Sequence, residues 1–144
     1  MNLLLSFLIA IAVLIAINGV SRWRANARRA RAAHLPPGEP VVRRADRVQA
    51  RIFVDRSLPS GPKSGGISRD PATLLLGGRH LVLSTGHGRI LEIGPDRPGE
   101  ARCVGPKRLV IEGAHPSGRA RLRVELLIAD AEGWAAAISA LPAA

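Results

Sequence analysis

The sequence predicts an N-terminal transmembrane α-helix followed by a mainly-β domain, an antiparallel sandwich or barrel of about seven strands closed by a C-terminal helix. Three observations predict it. Residues 3–20 form an uncharged, mostly aliphatic run, followed at once by Arg22, Arg24, Arg28, Arg29 and Arg31 with no acid among them. Short apolar runs, separated by Gly- and Pro-rich turns, fill residues 48–128. After Asp130 the apolar residues switch to helical spacing.

As a helix, residues 3–20 reach roughly 27 Å at ~1.5 Å per residue. That suffices for a hydrocarbon core of ~30 Å with snorkelling flanks. Only Ser6 and Asn18 are polar, so the run lacks the polar face of a buried soluble helix or of an in-plane amphipathic one. A cleaved signal peptide fits poorly. No Lys or Arg precedes the run, and its exit, Ala16-Ile17-Asn18-Gly19, is a weak small-x-small site. All five nearby arginines lie C-terminal to the run, which favours that side for the cytoplasm. The expected location is therefore the plasma (inner) membrane, single-pass, with the N-terminus outside and the C-terminal domain cytoplasmic.

The chain of 144 residues has room for an anchor (1–21), a basic juxtamembrane segment with a Pro-rich linker (22–40) and one small domain (41–144). Two Phe, two Trp and no Tyr mean a core of Leu, Ile, Val and Ala. The net charge of +10 is concentrated near the anchor. Only Lys63 and Lys107 are lysines, and with the abundant Ala, Gly and Pro this suggests a GC-rich bacterial genome as the source of the arginines. Cys103 is the one cysteine, so an intramolecular disulfide is impossible. It is expected to be a small buried strand residue.

Residues 21–33 are rich in Ala and Arg, good helix formers, and extend the anchor helix out of the bilayer. Pro36, Pro37 and Pro40 end it and favour an extended linker. Val48, Ala50, Ile52 and Val54 then alternate with Gln49, Arg51, Phe53 and Asp55, a half-buried strand. Residues 57–71 hold Gly, Pro and Ser enough to predict a long surface loop. Strands follow at 73–76, 79–85, 89–93, 102–104, 107–112 and 120–128, each bounded by a turn. In the last, Leu122, Val124, Leu126 and Ile128 share one face. Asp130 is a good N-cap, and Trp134, Ala137, Ile138 and Leu141 form one apolar face on a helix over 131–141. A helix this short must pack on the sheet, with Trp134 as its anchor.

This order resembles the pleckstrin-homology-like (PH-like) fold, a bent antiparallel barrel plugged by its last helix. The resemblance rests on residues 73–141: Leu-Leu-Leu-Gly-Gly-Arg-His-Leu-Val-Leu, Arg-Leu-Val-Ile-Glu, and Val-Glu-Leu-Leu-Ile-Ala-Asp-Ala-Glu-Gly-Trp-Ala-Ala-Ala-Ile. Small bacterial membrane-anchored proteins with such a domain share the layout. Phosphoinositide-binding members carry a basic cluster at the first hairpin. Arg51, Arg56, Lys63 and Arg69 lie near that region without matching its spacing, so inositide binding is not carried over. The fold itself hosts lipid, peptide and structural roles.

No catalytic constellation is present. His34, His80, His87 and His115 are scattered, and no pair has metal-site spacing. Ser84 and His87 have no carboxylate placed to orient a base, and Gly86-x-Gly88 precedes a strand, unlike a phosphate loop. Asp70, Glu92, Glu112 and Glu125 fall on separate elements. Neither enzyme activity nor a cofactor or metal is expected. The candidate contacts are Arg22, Arg24, Arg28, Arg29 and Arg31 for the membrane surface, and Arg56, Lys63 and Arg69 for an anion or peptide. The leading expectation is a membrane-anchored interaction or scaffold module with the bilayer and a protein as partners. An anionic-lipid sensor is the alternative, and a nucleic-acid binder is disfavoured because no aromatic stacking platforms accompany the arginines.

Overall fold

Helix α1 (Leu3–Ala32) carries the apolar run and the arginines without a break. The computed structural model describes residues 2–54, 67–118 and 120–142. At 30 residues, α1 is ~45 Å long. Leu3, Phe7, Leu14 and Ile15 are exposed, part of an apolar surface that water does not tolerate well. The helix is long and apolar enough to cross a membrane. Trp23 is also exposed, one turn past the apolar run, where an indole suits a membrane–water interface.

Seven strands follow: β1 (Arg43–Val54), β2 (Ile67–Leu76), β3 (Leu81–Thr85), β4 (Gly88–Ile93), β5 (Glu100–Gly105), β6 (Arg108–Ala114) and β7 (Arg121–Leu127). They form one antiparallel sheet in the order β4-β3-β2-β1-β7-β6-β5. The pairing of Glu92 with Ala114 joins β4 to β6 and closes six strands into a barrel, leaving β5 outside β6. Helix α2 (Ala131–Ser139) packs on β5 and β6. Its Ala131, Trp134 and Ile138 complete the core formed by Ile52, Leu74, Leu83, Leu91, Ile111 and Val124. Asp130 caps α2 by accepting from the Gly133 N–H. This is the architecture expected: a long apolar N-terminal helix, then a bent antiparallel barrel closed by a C-terminal helix.

Three local expectations are corrected. The loop predicted over 57–71 ends sooner, because β2 already begins at Ile67 and runs through Pro71. Proline is tolerated there because β3 pairs only with residues 73–76, so β2 is an edge at Pro71. The Pro71 carbonyl accepts from Arg29 Nη1 (3.4 Å) rather than from β1, which places the missing N–H on that free edge. Cys103, expected to be buried, is exposed on the outermost strand, its thiol donating to the Gly105 carbonyl. Residues 35–40, expected as an extended linker, are a docked strap. Leu35 is buried against Leu75 and Val82, and Glu39 is bonded to the β2–β3 turn.

The strap and α1 cover the outer face of β2 and β3, so β3 is buried on both faces. The contacts ascend in order. Ala25 lies against Gly86, where a Cβ would come within 3.1 Å of the alanine methyl. The Arg29 carbonyl accepts from Ser84 Oγ (3.3 Å), and the Arg29 guanidinium donates to Asn26 Oδ1 and Pro71 O. Leu35 then meets Leu75 and Val82, and Glu39 meets Arg79 and His80. The Ile67 end of β2 and the β3–β4 turn thus point back toward the apolar run.

Candidate functional site

Two constructions on the outer face of the barrel set its chemistry. The first is the strap. Glu39 Oε1 accepts from the N–H groups of Arg79 (2.7 Å) and His80 (2.9 Å), and Oε2 accepts from His80 Nδ1 (2.6 Å). Gly77 leaves room for this, since a side chain there would collide with the Glu39 carboxylate. Burial pushes the Glu39 carboxyl up, but the hydrogen bonds from Arg79 and His80 outweigh it and hold the pKa below the ordinary 4.5.

The second is a bulge in β1. Ala45 pairs with Leu74 and Val48 with Ala72, so Asp46 and Arg47 together face Thr73. Asp46 fixes the bulge. It accepts from Arg44 Nε (2.7 Å), Arg44 Nη2 (3.1 Å) and Thr73 Oγ1 (3.2 Å). The hydrogen bond from Arg44 is the chief reason that the Asp46 carboxyl lies below its usual 3.8. Arg47 is left in the left-handed region at φ 55°, a backbone conformation that costs a bulky residue roughly 1–2 kcal/mol. A bulge re-aims the side chain it carries, and this one directs Arg47 toward the trough beside it.

That trough has a volume of about 580 Å³ and lies across β2, β1 and β7. Ala50 is paired with Asp70 on one side and Leu126 on the other, and the backbone of these three residues forms the floor. Arg47, Arg51, Arg69 and Arg108 stand around it, with Pro71 and Leu127 as apolar walls. Arg51 and Arg69 are directly opposite across the β1–β2 pair, a like-charge juxtaposition that weakens a sheet. None of the four arginines has a carboxylate within ion-pair distance among the described residues. The trough's acids are already engaged: Glu125 accepts from Arg123 (3.1 Å), and Asp70 faces His87 Nε2 at 3.4 Å. Leu127, the last residue of β7, is 53% exposed although it is paired with Gln49 on one side and Arg108 on the other.

Of the arginines singled out in the sequence, Arg22, Arg24, Arg28 and Arg31 are exposed on α1. Arg29 differs. It is 8% exposed and turned onto the outer face of the sheet, where it joins helix to strand. Arg69 lies in the trough, whereas Arg56 and Lys63 fall outside the described residues. Arg47, Arg108 and Leu127 were missed. Leu127 did carry a signal, because it interrupts the polar side of an otherwise alternating strand. Arg47 and Arg108 carried none, since their meeting depends on the register of strands far apart in sequence. Ser84 is fully buried and its hydroxyl donates to Arg29, so it forms no pair with His87. Among the described residues, no three His, Cys, Asp or Glu side chains converge as metal ligands.

The titrating groups predict a two-limbed acid response. Burial, aided by the Arg97 charge, depresses the pKa of His115 below 6.5. The unfolded chain therefore binds that proton first, and stability begins to fall as pH drops through 6.5. Asp130, held down by its hydrogen bond from Arg43, joins Glu39 and Asp46 as a depressed carboxyl. Their contribution is complete above the unfolded values of 4.5 and 3.8 and is lost as pH falls below these toward the lowered folded values. Thermal melts across pH should show a shallow decline and then a steep one. His115→Gln should remove the first limb, and Glu39→Gln should soften the second.

Comparison with protein-family models and with curated proteins finds no match for this chain.

Proposed function

We propose that this chain is a single-pass protein of the bacterial inner membrane that presents a PH-like domain on the cytoplasmic side. There it acts as an interaction or scaffold module, an accessory subunit of a membrane complex, and not as an enzyme. The observation that carries the reading is the docking of α1 on β2 and β3 through Ala25, Arg29 and the Leu35–Glu39 strap. A module that only needed tethering would hang from a free linker. This one is fixed in height and direction relative to its anchor, which suits presentation of one face to another membrane-bound protein. The strand order and the capping helix support the PH-like reading, and the arginines on α1 support the orientation.

The test is mass spectrometry of what co-purifies with the full-length protein in mild detergent. A dominant protein at near-stoichiometric yield is expected. No protein, with anionic lipid retained instead, would overturn the reading in favour of lipid sensing by Arg22, Arg24, Arg28 and Arg31, which all remain exposed. Orientation is checked separately by a reporter fused after Ala144, expected to be active only in the cytoplasm.

A further inference from the structure

We propose that the arginine trough across β2, β1 and β7 binds an extended acidic segment of a partner protein, with an apolar side chain of that segment resting on Leu127. The inference rests on the interaction-module reading and supplies the face and the chemistry of its partner.

Three features of the trough point to an anionic ligand. Four arginines line it, none with a carboxylate within ion-pair distance among the described residues. Arg51 and Arg69 oppose each other directly, a like-charge pair that an added anion would relieve, since Glu125, opposite Arg51 on β7, is bonded to Arg123. Arg47 is held in a left-handed conformation by a bulge that Asp46, Arg44 and Thr73 lock in place. The backbone strain is retained at the position that supplies one of the four cations.

The shape of the site favours a polypeptide over a lipid headgroup. Arg29 lies nine residues beyond Val20, about 14 Å along the helix axis, and its guanidinium reaches Pro71 at the trough's edge. The register sets Gln49 opposite Pro71, Leu127 opposite Gln49, and Arg108 opposite Leu127. Arg108 is therefore in register with Pro71, and Arg47 lies two residues beyond Gln49, away from the Ile67 end of β2. The headgroup layer extends only about 5–8 Å beyond the hydrocarbon on each side. Headgroups could meet Arg51 and Arg69 but not the other half of the trough. A chain with carboxylates spaced along it reaches all four cations, and an exposed leucine between them suits an apolar side chain better than a phosphate.

The test uses full-length protein in nanodiscs of zwitterionic lipid and a fluorescent peptide of about ten residues alternating Glu and Leu. Fluorescence anisotropy should show binding that weakens as salt rises. It should also weaken at least tenfold in the Arg51→Glu/Arg69→Glu variant and in Arg47→Gly, which removes the cation while relaxing the backbone. The Arg51→Gln/Arg69→Gln variant should melt at or above the wild-type temperature and still lose the peptide, which separates ligand binding from folding. Failure of the wild-type protein to bind the peptide, equal binding by the charge-reversed variant, or displacement of the peptide by anionic lipid in the disc would each overturn the proposal. A stoichiometric partner that the charge-reversed variant still co-purifies would also overturn it, while leaving the interaction-module reading intact.

Discussion

Replacing Trp134 by Ala is expected to destabilise the domain by about 3–5 kcal/mol. The indole is 4% exposed and, among the described residues, is the only aromatic ring in a core otherwise made of aliphatic side chains. It joins α2 to the barrel, and the Arg43 guanidinium lies 4.7 Å from its centroid. Arg43 is also bonded to Asp130, the residue that caps α2. One truncation therefore opens a cavity, removes a cation–π contact and frees the arginine that steadies the helix start. For a domain of this size the loss amounts to a fall in melting temperature on the order of 20 °C. Urea or thermal melts of the variant are the check, and an unchanged midpoint would mean that α2 does not close the core.

Leu35→Asp is the second large effect. Leu35, Leu75 and Val82 form a small apolar cluster of their own on the outer face, separate from the main core. A carboxylate at position 35 forfeits about 1.5–3 kcal/mol of leucine burial and cannot stay dry beside Leu75 and Val82. The strap should lift and hydrate while the barrel stays folded, because its own core does not include Leu35. Hydrogen exchange reads this directly. The Arg79 and His80 amides, which donate to Glu39 in the wild type, should exchange at least tenfold faster, while amides of Ile52, Leu83 and Val124 keep their protection. Loss of protection throughout would show instead that the strap is integral to the fold.

The elements with a period were legible, and the contacts between elements were not. Alternation in β1 and β7, the Gly-containing turns, and the spacing of Trp134 and Ile138 after Asp130 are local signals that reflect local physics. The apolar stretches at 74–76 and 81–83 read only as short strands; that they are covered on both faces, by residues 25–39 on the outside, no local signal said. Pro71 looked like loop because its tolerance depends on where β3 stops, a property of another strand. Cys103 looked buried because small apolar residues usually are, and its exposure follows from β5 lying outside the closed barrel. The candidate site divides the same way. Arg69 was legible as a basic residue near the first hairpin. Its company with Arg47, Arg51 and Arg108 exists only once β2, β1, β7 and β6 are in register.

Because α1 passes unbroken from the apolar run to its seat on Ser84 and Pro71, the barrel has an azimuth as well as a height. The helix works as a splined shaft. Inserting one residue between Val20 and Ala25 would turn the barrel by about 100° around the axis and raise it by ~1.5 Å, swinging the trough away from any partner held by the apolar run. Inserting four would bring it within about 40° of its starting direction, displaced by ~6 Å. Function that fails with one added residue and recovers with four would be keyed to helical phase, whereas a domain on a loose tether would tolerate both alike.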